Sequence, residues 1–200
     1  VYKRQEGLIV RSATQVDEDL LGRAPDLRIV GRAGVGTDNI NIPACTQRGI
    51  IVMNTPLGNV TSAAEHAVAL MLALARNIPK ADAMLKAGKW AKTECTGVEL
   101  ENKTLGIIGL GKVGSIVARA ARGLGMKVIA HDPFLSSEAA HERGVGLVEL
   151  DELIRTSDFI TLHVPLTERT RNMLAYPQFT MMKRSARLIN CARGGVVNED

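Results

Sequence analysis

Residues 107–114 read IIGLGKVG and place Gly109, Gly111 and Gly114 in the spacing GxGxxG. The apolar residues before these glycines are typical of a buried strand, and the residues after them have helical spacing, so the glycines lie at a strand-to-helix turn. In such a turn the first glycine permits a tight bend, the second lets the backbone approach a pyrophosphate, and the third lets the helix pack closely on the strand. Amide groups at the start of the helix then bind phosphate. The stretch therefore predicts a dinucleotide-binding α/β unit.

A second strand, KVIAHD, follows the helix and ends at Asp132. This is close to the position, roughly 20 residues past the glycines, at which a carboxylate accepts the ribose hydroxyls. Its negative charge would repel a 2′-phosphate, which favours NAD over NADP. The alternative is a structural glycine turn, followed by an aspartate that only begins an Asp-Pro turn. Because strand, helix, second strand and acid stand in the right order, we favour the nucleotide site.

Short apolar strands recur along the whole chain with helical segments between them, which predicts parallel sheets covered by helices. We expect an α/β protein with a Rossmann-type doubly wound parallel sheet, plus part of a second, flavodoxin-like α/β substrate domain. The predicted strands are residues 7–11, 27–31, 50–53, 104–109, 127–132, 158–164 and 186–190.

The boundary between the two predicted domains lies near residues 53–59, where Pro56 and Gly58 break an apolar strand. This gives a partial substrate domain over residues 1–57 and an NAD-binding domain over residues 58–200, incomplete at its C-terminal end. The helix expected to start around Thr61 is so apolar over residues 63–75 that both of its sides need cover. Packing between domains or between subunits would supply that cover, so we expect a homodimer or a higher homo-oligomer.

Composition makes several classes of function improbable for this chain. A net charge of +4 without a basic run mildly favours acidic small molecules and gives little support for nucleic-acid binding. Cys45, Cys95 and Cys191 have no CxxC spacing, so we expect neither a disulfide framework nor a metal site. Reduced thiols indicate a cytoplasmic protein. We expect no membrane segment and no secretory leader.

Two arginines lie at the ends of predicted strands in the first domain. Arg11 and Ser12 follow GLIV, and Arg32 stands in the turn GRAGVG over residues 31–36. The carboxyl ends of strands are where open α/β sheets bind ligands, so the backbone amides of Gly34 and Val35 could hold a carboxylate and Arg32 could add charge. The alternative is an ordinary strand-to-helix turn with its arginines in solvent.

With these pieces in place, residues 6–200 resemble the D-isomer-specific 2-hydroxyacid dehydrogenases. The resemblance rests on several blocks in register, which together are far more specific than any one block. The blocks are LIVRSAT (8–14), GRAGVGTDNI (31–40), VMNTPLGN (52–59), SAAEHAVALMLALARNIP (62–79), GKVG (111–114), HDP (131–133), LHVPLT (162–167) and NCARGG (190–195).

The resemblance implies a set of binding residues. Arg11, Ser12, Asn59 and the amides of Gly34 and Val35 match positions of the substrate pocket. Val164 matches a cofactor position at which some members carry Thr. The other residues that match the lining of the NAD site are Lys112, Val113, Asp132, Cys191 and Ala192.

The resemblance also implies the catalytic groups. Arg193 matches the arginine that binds the substrate carboxylate and polarises the 2-keto oxygen. A histidine that transfers the proton, and a glutamate that raises the pKa of that histidine, belong to segments downstream of NCARGG. None of the histidines (His66, His131, His141 and His163) follows Arg193, and members already carry a histidine at the position of His163 without using it as the acid. We therefore expect an internal fragment of a longer enzyme, inactive alone.

Within the family, the resemblance is nearest to members that oxidise 3-phosphoglycerate to 3-phosphohydroxypyruvate in serine biosynthesis. Reduction of hydroxypyruvate or glyoxylate is the alternative within this class, because Arg11 and Arg32 suit either an acid or a phosphorylated acid. A second class is an NAD-sensing, corepressor-like binding protein on the same fold. Such a protein would have little need for the RSAT pocket beside Asn59.

Overall fold

The computed structural model describes residues 4–200, and it divides into two compact units. The N-terminal unit ends at Val60, and the C-terminal unit is Thr61–Asp200. The sequence places the domain boundary after residue 57, and residues 1–3 of that predicted domain lie outside the described residues.

The N-terminal unit alternates short strands with short helices. Its helices begin at side-chain caps, because an Asp17 carboxylate oxygen accepts the N–H of Leu20 at 2.9 Å and the Asn41 side chain accepts the N–H of Ala44 at 3.0 Å. The elements are β1 (Gly7–Val10), α1 (Glu18–Gly22), β2 (Ile29–Arg32), α2 (Ile42–Gln47) and β3 (Ile51–Asn54).

The three strands form a parallel sheet in the order β1-β2-β3. One face of this sheet is buried in the core of the unit, with Val10 and Val30 almost inaccessible. The other face leaves Ile9, Ile51 and Met53 exposed, at 83%, 61% and 55%. The unit therefore has a core on one side of its sheet and an apolar, exposed surface on the other.

The C-terminal unit is the larger one and also alternates strands with helices. Its central strand is almost wholly apolar, which is typical of a parallel strand covered on both faces. The elements are α3 (Val60–Ala75), α4 (Ile78–Lys86), a 3-10 helix (Thr93–Cys95), β4 (Thr104–Ile108), α5 (Lys112–Gly123), β5 (Lys127–His131), α6 (Ser137–Glu142), β6 (Gly146–Leu147), α7 (Leu150–Thr156), β7 (Phe159–Leu162), α8 (Tyr176–Met181) and β8 (Arg187–Asn190).

The five strands of this unit pair in parallel in the order β6-β5-β4-β7-β8. Two clusters of buried residues flank the sheet. One contains Val117 and Ala121 of α5, and the other contains Leu153 and Ile154 of α7. A sheet with β4 at its centre and helices on both faces is the doubly wound arrangement that the sequence predicts.

Differences from the sequence-based expectations are local. The predicted strands are all present with ends shifted by one or two residues, but β6 was not predicted, because two residues are too short to show a period. The helix expected from Thr61 begins one residue earlier. It buries Ala64, Ala67 and Met71. His66, on the same helix, is exposed.

Candidate functional site

The glycine turn, residues 109–111, connects β4 to α5 at the carboxyl edge of the larger sheet. Strands β5 and β7 pair with opposite edges of β4, so the turn lies at the switch point where open α/β sheets bind ligands. Gly111 is the N-cap of α5, and none of the described side chains caps this helix. Because amides in a first turn have no partner within the helix, they are donors suited to phosphate.

The three glycines differ in what surrounds them. Gly109 has a φ of 94°, and a Cβ there would lie 2.9 Å from the carbonyl oxygen of His163. A Cβ on Gly114 would collide with the carbonyl oxygen of Gly109, so only glycine allows α5 to approach the end of β4 this closely. A Cβ on Gly111 would meet no atom within 4 Å. This open space in front of an uncapped helix start fits a pyrophosphate.

Lys112 and Val113 are the first two residues of α5. The Lys112 side chain is exposed, whereas Val113 is partly buried against the core of the unit. The Lys112 ammonium is thus placed at the helix start, beside the open space at Gly111, and the Val113 side chain packs the helix start against the core.

Asp132 follows β5, and its carboxylate is bonded to the glycine turn. Oδ2 accepts the N–H of Leu110 at 2.9 Å, and Oδ1 accepts the N–H of Phe134 at 3.0 Å. Each carboxylate oxygen has a second lone pair, so both can also accept a hydroxyl. Asp132 therefore forms the Asp-Pro turn and at the same time faces the glycine turn, and the two interpretations of this residue do not exclude each other.

His163 and Val164 follow β7 and lie against the glycine turn from the other side. A Cβ on Gly109 would be 2.9 Å from Cγ1 of Val164, and Nε2 of His163 is 3.1 Å from Oγ1 of Thr161. Burial lowers the pKa of His163 to about 4. The imidazole is therefore neutral near pH 7. A general acid that works at this pH needs a pKa close to 7. This property does not suit His163 to replace the histidine expected downstream.

The segment after β8 contains Cys191, Ala192 and Arg193. Asn190 holds it in shape, because its Nδ2 donates to the carbonyl oxygen of Arg193 and its Oδ1 accepts the N–H of Ala192, both at 3.0 Å. Nη1 of Arg193 donates to the carbonyl oxygen of Ala192 at 2.7 Å. Burial raises the pKa of the Cys191 thiol, so this side chain is uncharged at neutral pH.

Backbone bonds fix the chain on the far side of Arg193. The N–H of Asn172 donates to the carbonyl oxygen of Gly195, and the N–H of Asn198 donates to that of Leu174, both at 2.8 Å. Leu174 and Val196 are fully buried. Arg193 is therefore held between β8 and a backbone-bonded segment, at the same sheet edge as the glycine turn.

In the N-terminal unit, the guanidinium of Arg32 lies over the loops that follow β1 and β2. Its Nη2 donates to Oγ of Ser12 at 3.0 Å, its Nη1 donates to the carbonyl oxygen of Ala33 at 2.8 Å, and a Cβ on Gly34 would collide with it. Its Nε is buried and has no acceptor among the described residues. A buried donor without an acceptor is costly, and an anion bound here would satisfy it. Arg32 is thus turned across the loops instead of into solvent.

The other predicted substrate residues lie at the same edge of the smaller sheet. Arg11 and Val35 are exposed. The N–H of Gly34 already donates to the carbonyl oxygen of Arg32 at 2.9 Å, so a carboxylate would have to share or replace that bond. Asn59 is exposed and precedes α3.

Asn39 is a residue of this edge that the sequence analysis did not single out. It is buried, and its Nδ2 donates to the carbonyl oxygens of Arg11 and Thr14 at 2.8 and 2.6 Å. It therefore shapes the loop that carries Arg11 and Ser12. The Asp-Asn pair after a glycine-rich turn was the available signal, because such side chains bond to nearby backbone.

Comparisons with known families and with known sequences agree on one family. Residues 68–200 match the family described as D-isomer specific 2-hydroxyacid dehydrogenase, NAD binding domain. The chain is 49% identical over 200 residues to the D-3-phosphoglycerate dehydrogenase of Synechocystis sp., which covers 100% of this chain and 36% of that protein. It is 52% identical over 196 residues to the D-3-phosphoglycerate dehydrogenase of Archaeoglobus fulgidus, covering 98% of this chain and 37% of that protein.

A solved structure has the same fold. The crystal structure of D-lactate dehydrogenase from Aquifex aeolicus, complexed with NAD and lactic acid, matches with a TM-score of 0.90 and 35% identity, covering 98% of this chain and 59% of that one. The chain spans little more than a third of the length of the two curated relatives. On the match over residues 68–200, the chain belongs to the D-isomer-specific 2-hydroxyacid dehydrogenases, and the matched part is their NAD-binding domain.

Proposed function

We propose that this chain provides the NAD-binding domain and part of the substrate domain of a D-2-hydroxyacid dehydrogenase that oxidises 3-phosphoglycerate to 3-phosphohydroxypyruvate, the reaction that begins serine biosynthesis. The observation that carries the proposal is the shared sheet edge in the C-terminal unit. The glycine turn after β4 and Arg193 after β8 lie at the carboxyl ends of strands of one parallel sheet. A cofactor and a substrate anion bound at these two places would meet at that edge.

In the proposed cofactor site, the first N–H groups of α5 and the open space in front of Gly111 would hold the pyrophosphate. Asp132 would accept the adenosine ribose hydroxyls, and Lys112 adds positive charge at the helix start. Val113, Val164, Cys191 and Ala192 provide further wall around the cofactor. The uncharged thiol of Cys191 and the aliphatic side chain of Val164 suit a wall that excludes water.

Arg193 is the proposed catalytic residue in this chain. Its guanidinium binds the substrate carboxylate and donates to the 2-keto oxygen, where negative charge develops during reduction. A planar, permanently charged fork is suited to both tasks, because it can donate two parallel hydrogen bonds. The nicotinamide, when bound, supplies or accepts the hydride. The proton on the 2-oxygen requires a separate acid–base group, which we assign to a histidine of the longer protein.

The proposed substrate site uses Arg11, Ser12, Arg32, Asn59 and the amides of Gly34 and Val35. The buried Nε of Arg32 without an acceptor among the described residues supports an anionic ligand there. Two arginines at this edge favour a substrate with a phosphate as well as a carboxylate. An unphosphorylated 2-keto acid such as hydroxypyruvate is the second candidate, and the likeness to a D-lactate dehydrogenase favours it.

The quaternary structure and the cellular setting are also proposals. Leu70, Leu74, Ile78, Leu85 and Trp90 of the α3–α4 region are exposed apolar side chains, Trp90 at 83%, and a subunit interface would cover them, so we propose a homodimer or higher homo-oligomer. The three cysteines are free thiols, which supports a reducing compartment such as the cytoplasm. None of the described helices is long and apolar enough to cross a membrane.

Substrate choice is tested with the full-length protein that contains this chain. NADH oxidation is followed with 3-phosphohydroxypyruvate and with hydroxypyruvate. A kcat/KM at least about a hundredfold higher on the phosphorylated acid is expected, because two lost charge-assisted contacts are worth roughly 3 kcal/mol or more. Equal values would refute the assignment of phosphoglycerate and leave the dehydrogenase class intact.

Cofactor choice is tested on the same protein with Asp132→Ala. Removal of the carboxylate should weaken NADH binding and narrow the preference for NADH over NADPH. Unchanged NADH affinity would mean that Asp132 serves only its turn.

A further inference from the structure

Leu110 lies between the first two glycines of the turn, and both of its backbone groups are hydrogen-bonded to side chains. Its N–H donates to Oδ2 of Asp132 at 2.9 Å. Its carbonyl oxygen accepts Nη1 of Arg143 at 2.9 Å and Oγ of Ser115 at 3.2 Å. These side chains come from the end of β5, the end of α6 and the first turn of α5. The orientations of the two successive peptides that meet at Leu110 thus depend on side chains from three different elements.

Of the two side chains that donate to the carbonyl oxygen of Leu110, only Arg143 is charged. Hydrogen bonds with an ionised partner are roughly twice as strong as neutral ones. A turn with glycines on both sides of Leu110 has little steric restriction of its own. Without the guanidinium, only the neutral bond from Ser115 would hold the carbonyl of the Leu110–Gly111 peptide. The backbone torsions of Leu110 would then be less restrained, and so would the preceding peptide, whose N–H donates to Asp132.

The backbone at Arg143 is itself fixed. Arg143 is the C-cap of α6, and its carbonyl oxygen accepts Nη1 of Arg122, from the last turn of α5, at 3.2 Å. Gly144 has a φ of 67°, and a Cβ there would collide with the Arg122 guanidinium. The segment that carries Arg143 is therefore tied to α5, the helix that the glycine turn opens, while its side chain returns to the turn.

We propose that Arg143 is a positioning residue of the NAD site. It holds the carbonyl of the Leu110–Gly111 peptide, which faces the space in front of Gly111. By restraining the backbone torsions of Leu110, it also keeps the N–H of the preceding peptide on the ribose-facing carboxylate of Asp132. The proposal rests on the cofactor site proposed above. Arg143 belongs to none of the sequence patterns that define this site, because it is brought to the glycine turn only by the packing of α6.

The first test needs no cofactor and measures hydrogen exchange of the Leu110 amide in the 200-residue chain. Arg143→Met removes the charged donor and keeps the aliphatic stem, and it should speed this exchange about tenfold, as loss of a charged hydrogen bond predicts. Arg143→Lys retains a cationic donor and should restore most of the protection. Arg119→Met is the control, because it removes an equal charge from an exposed position on α5 and should change nothing. Unchanged exchange in folded Arg143→Met would overturn the proposal.

The second test measures NADH affinity by the fluorescence of the bound nucleotide. Arg143→Met should raise the Kd about fivefold to tenfold, whereas Arg119→Met should change it less than about twofold. If Arg143 acts through Asp132, then Arg143→Met should raise the Kd for NADH by less than about twofold when Asp132→Asn is already present. If the Kd of the double variant rises by the product of the two single-variant factors, the proposal would be overturned. The titrations use the full-length protein that contains this chain. Failure of that unmodified protein to bind NADH would refute the proposed cofactor site itself, while the exchange experiment would still decide the role of Arg143 at Leu110.

Discussion

Replacing Gly114 by alanine tests the close approach of α5 to the end of β4. The added Cβ would collide with the carbonyl oxygen of Gly109 and lie 3.2 Å from Cγ2 of Ile107. The contacted atom of Gly109 is a backbone oxygen in a tight turn, and Ile107 is fully buried, so neither residue can move easily. The helix start would have to move away from the turn by roughly 1 Å, and overpacking of this kind costs about 1–3 kcal/mol.

The same helix contains a matched control. Gly123 is the last residue of α5, and a Cβ there would meet no atom within 4 Å. Alanine is the better helix former by about 0.5–1 kcal/mol, so Gly123→Ala should stabilise the unit.

The two variants are compared by calorimetric melting and by NADH titration. Since 1 kcal/mol corresponds to about 3 °C in a domain of this size, Gly114→Ala should lower the melting temperature by roughly 3–10 °C and Gly123→Ala should raise it by about 2 °C. Gly114→Ala should also weaken NADH binding at least about tenfold, because the first amides of α5 move with the helix. A Gly114→Ala protein with unchanged melting temperature and NADH affinity would refute the reasoning.

Other expected outcomes concern pH and catalysis. Because burial lowers the pKa of His163 from 6.5 to about 4, folding favours the neutral imidazole. The stability it provides is complete above the unfolded pKa and declines as pH falls toward the folded value. Between neutral pH and pH 5, the free energy of unfolding of the unmodified chain, measured with urea, should therefore fall by about 2 kcal/mol more than that of His163→Gln. Parallel pH profiles of the two proteins would contradict this. Burial alone would raise the pKa of Asp158, but bonds from the Thr104 N–H and Lys183 hold it below its usual value. Asp158→Asn should then cost about 1 kcal/mol near pH 7, and the difference should vanish as pH falls below the pKa of the native carboxyl; a cost that persists in acid would mean lost packing instead. In the full-length protein, Arg193→Ala should lower kcat and kcat/KM by about 10² or more, as loss of an oxyanion donor does; a change confined to KM would make Arg193 only a docking residue.

Several features of the fold could be predicted because they depend on local order along the chain. The apolar runs that became β4, β5 and β7 are continuous, which is the pattern of parallel strands buried on both faces. The glycine spacing defined the turn and the start of α5 by steric requirement alone. The short strand β6 and the exposure of His66 could not be predicted, because neither depends on a local period. The first depends on pairing with β5, and the second on which face of α3 meets the core.

Within the candidate site, the sequence singled out residues by their neighbours in the chain. It pointed to Asp132 because this residue follows an apolar strand, and to Arg193 because the block NCARGG resembles that of the family. It did not point to Arg143 or Asn39, which bond to backbone 33 and 28 residues away. Contacts of this range depend on how helices and loops pack, and no short pattern encodes them.

The sequence by itself thus determined the alternation of strands and helices, the glycine turn with its acid, and the resemblance to one dehydrogenase family. These follow from spacing, apolar runs and backbone sterics, which act between near neighbours. Only the tertiary structure decided that Asp132 bonds to the glycine turn, that Arg32 lies across Ser12 and Gly34 with its Nε buried, and that Arg143 returns to Leu110. Those arrangements depend on hydrogen bonds between elements distant in sequence, and the packing of each sheet with its helices brings their donors and acceptors together.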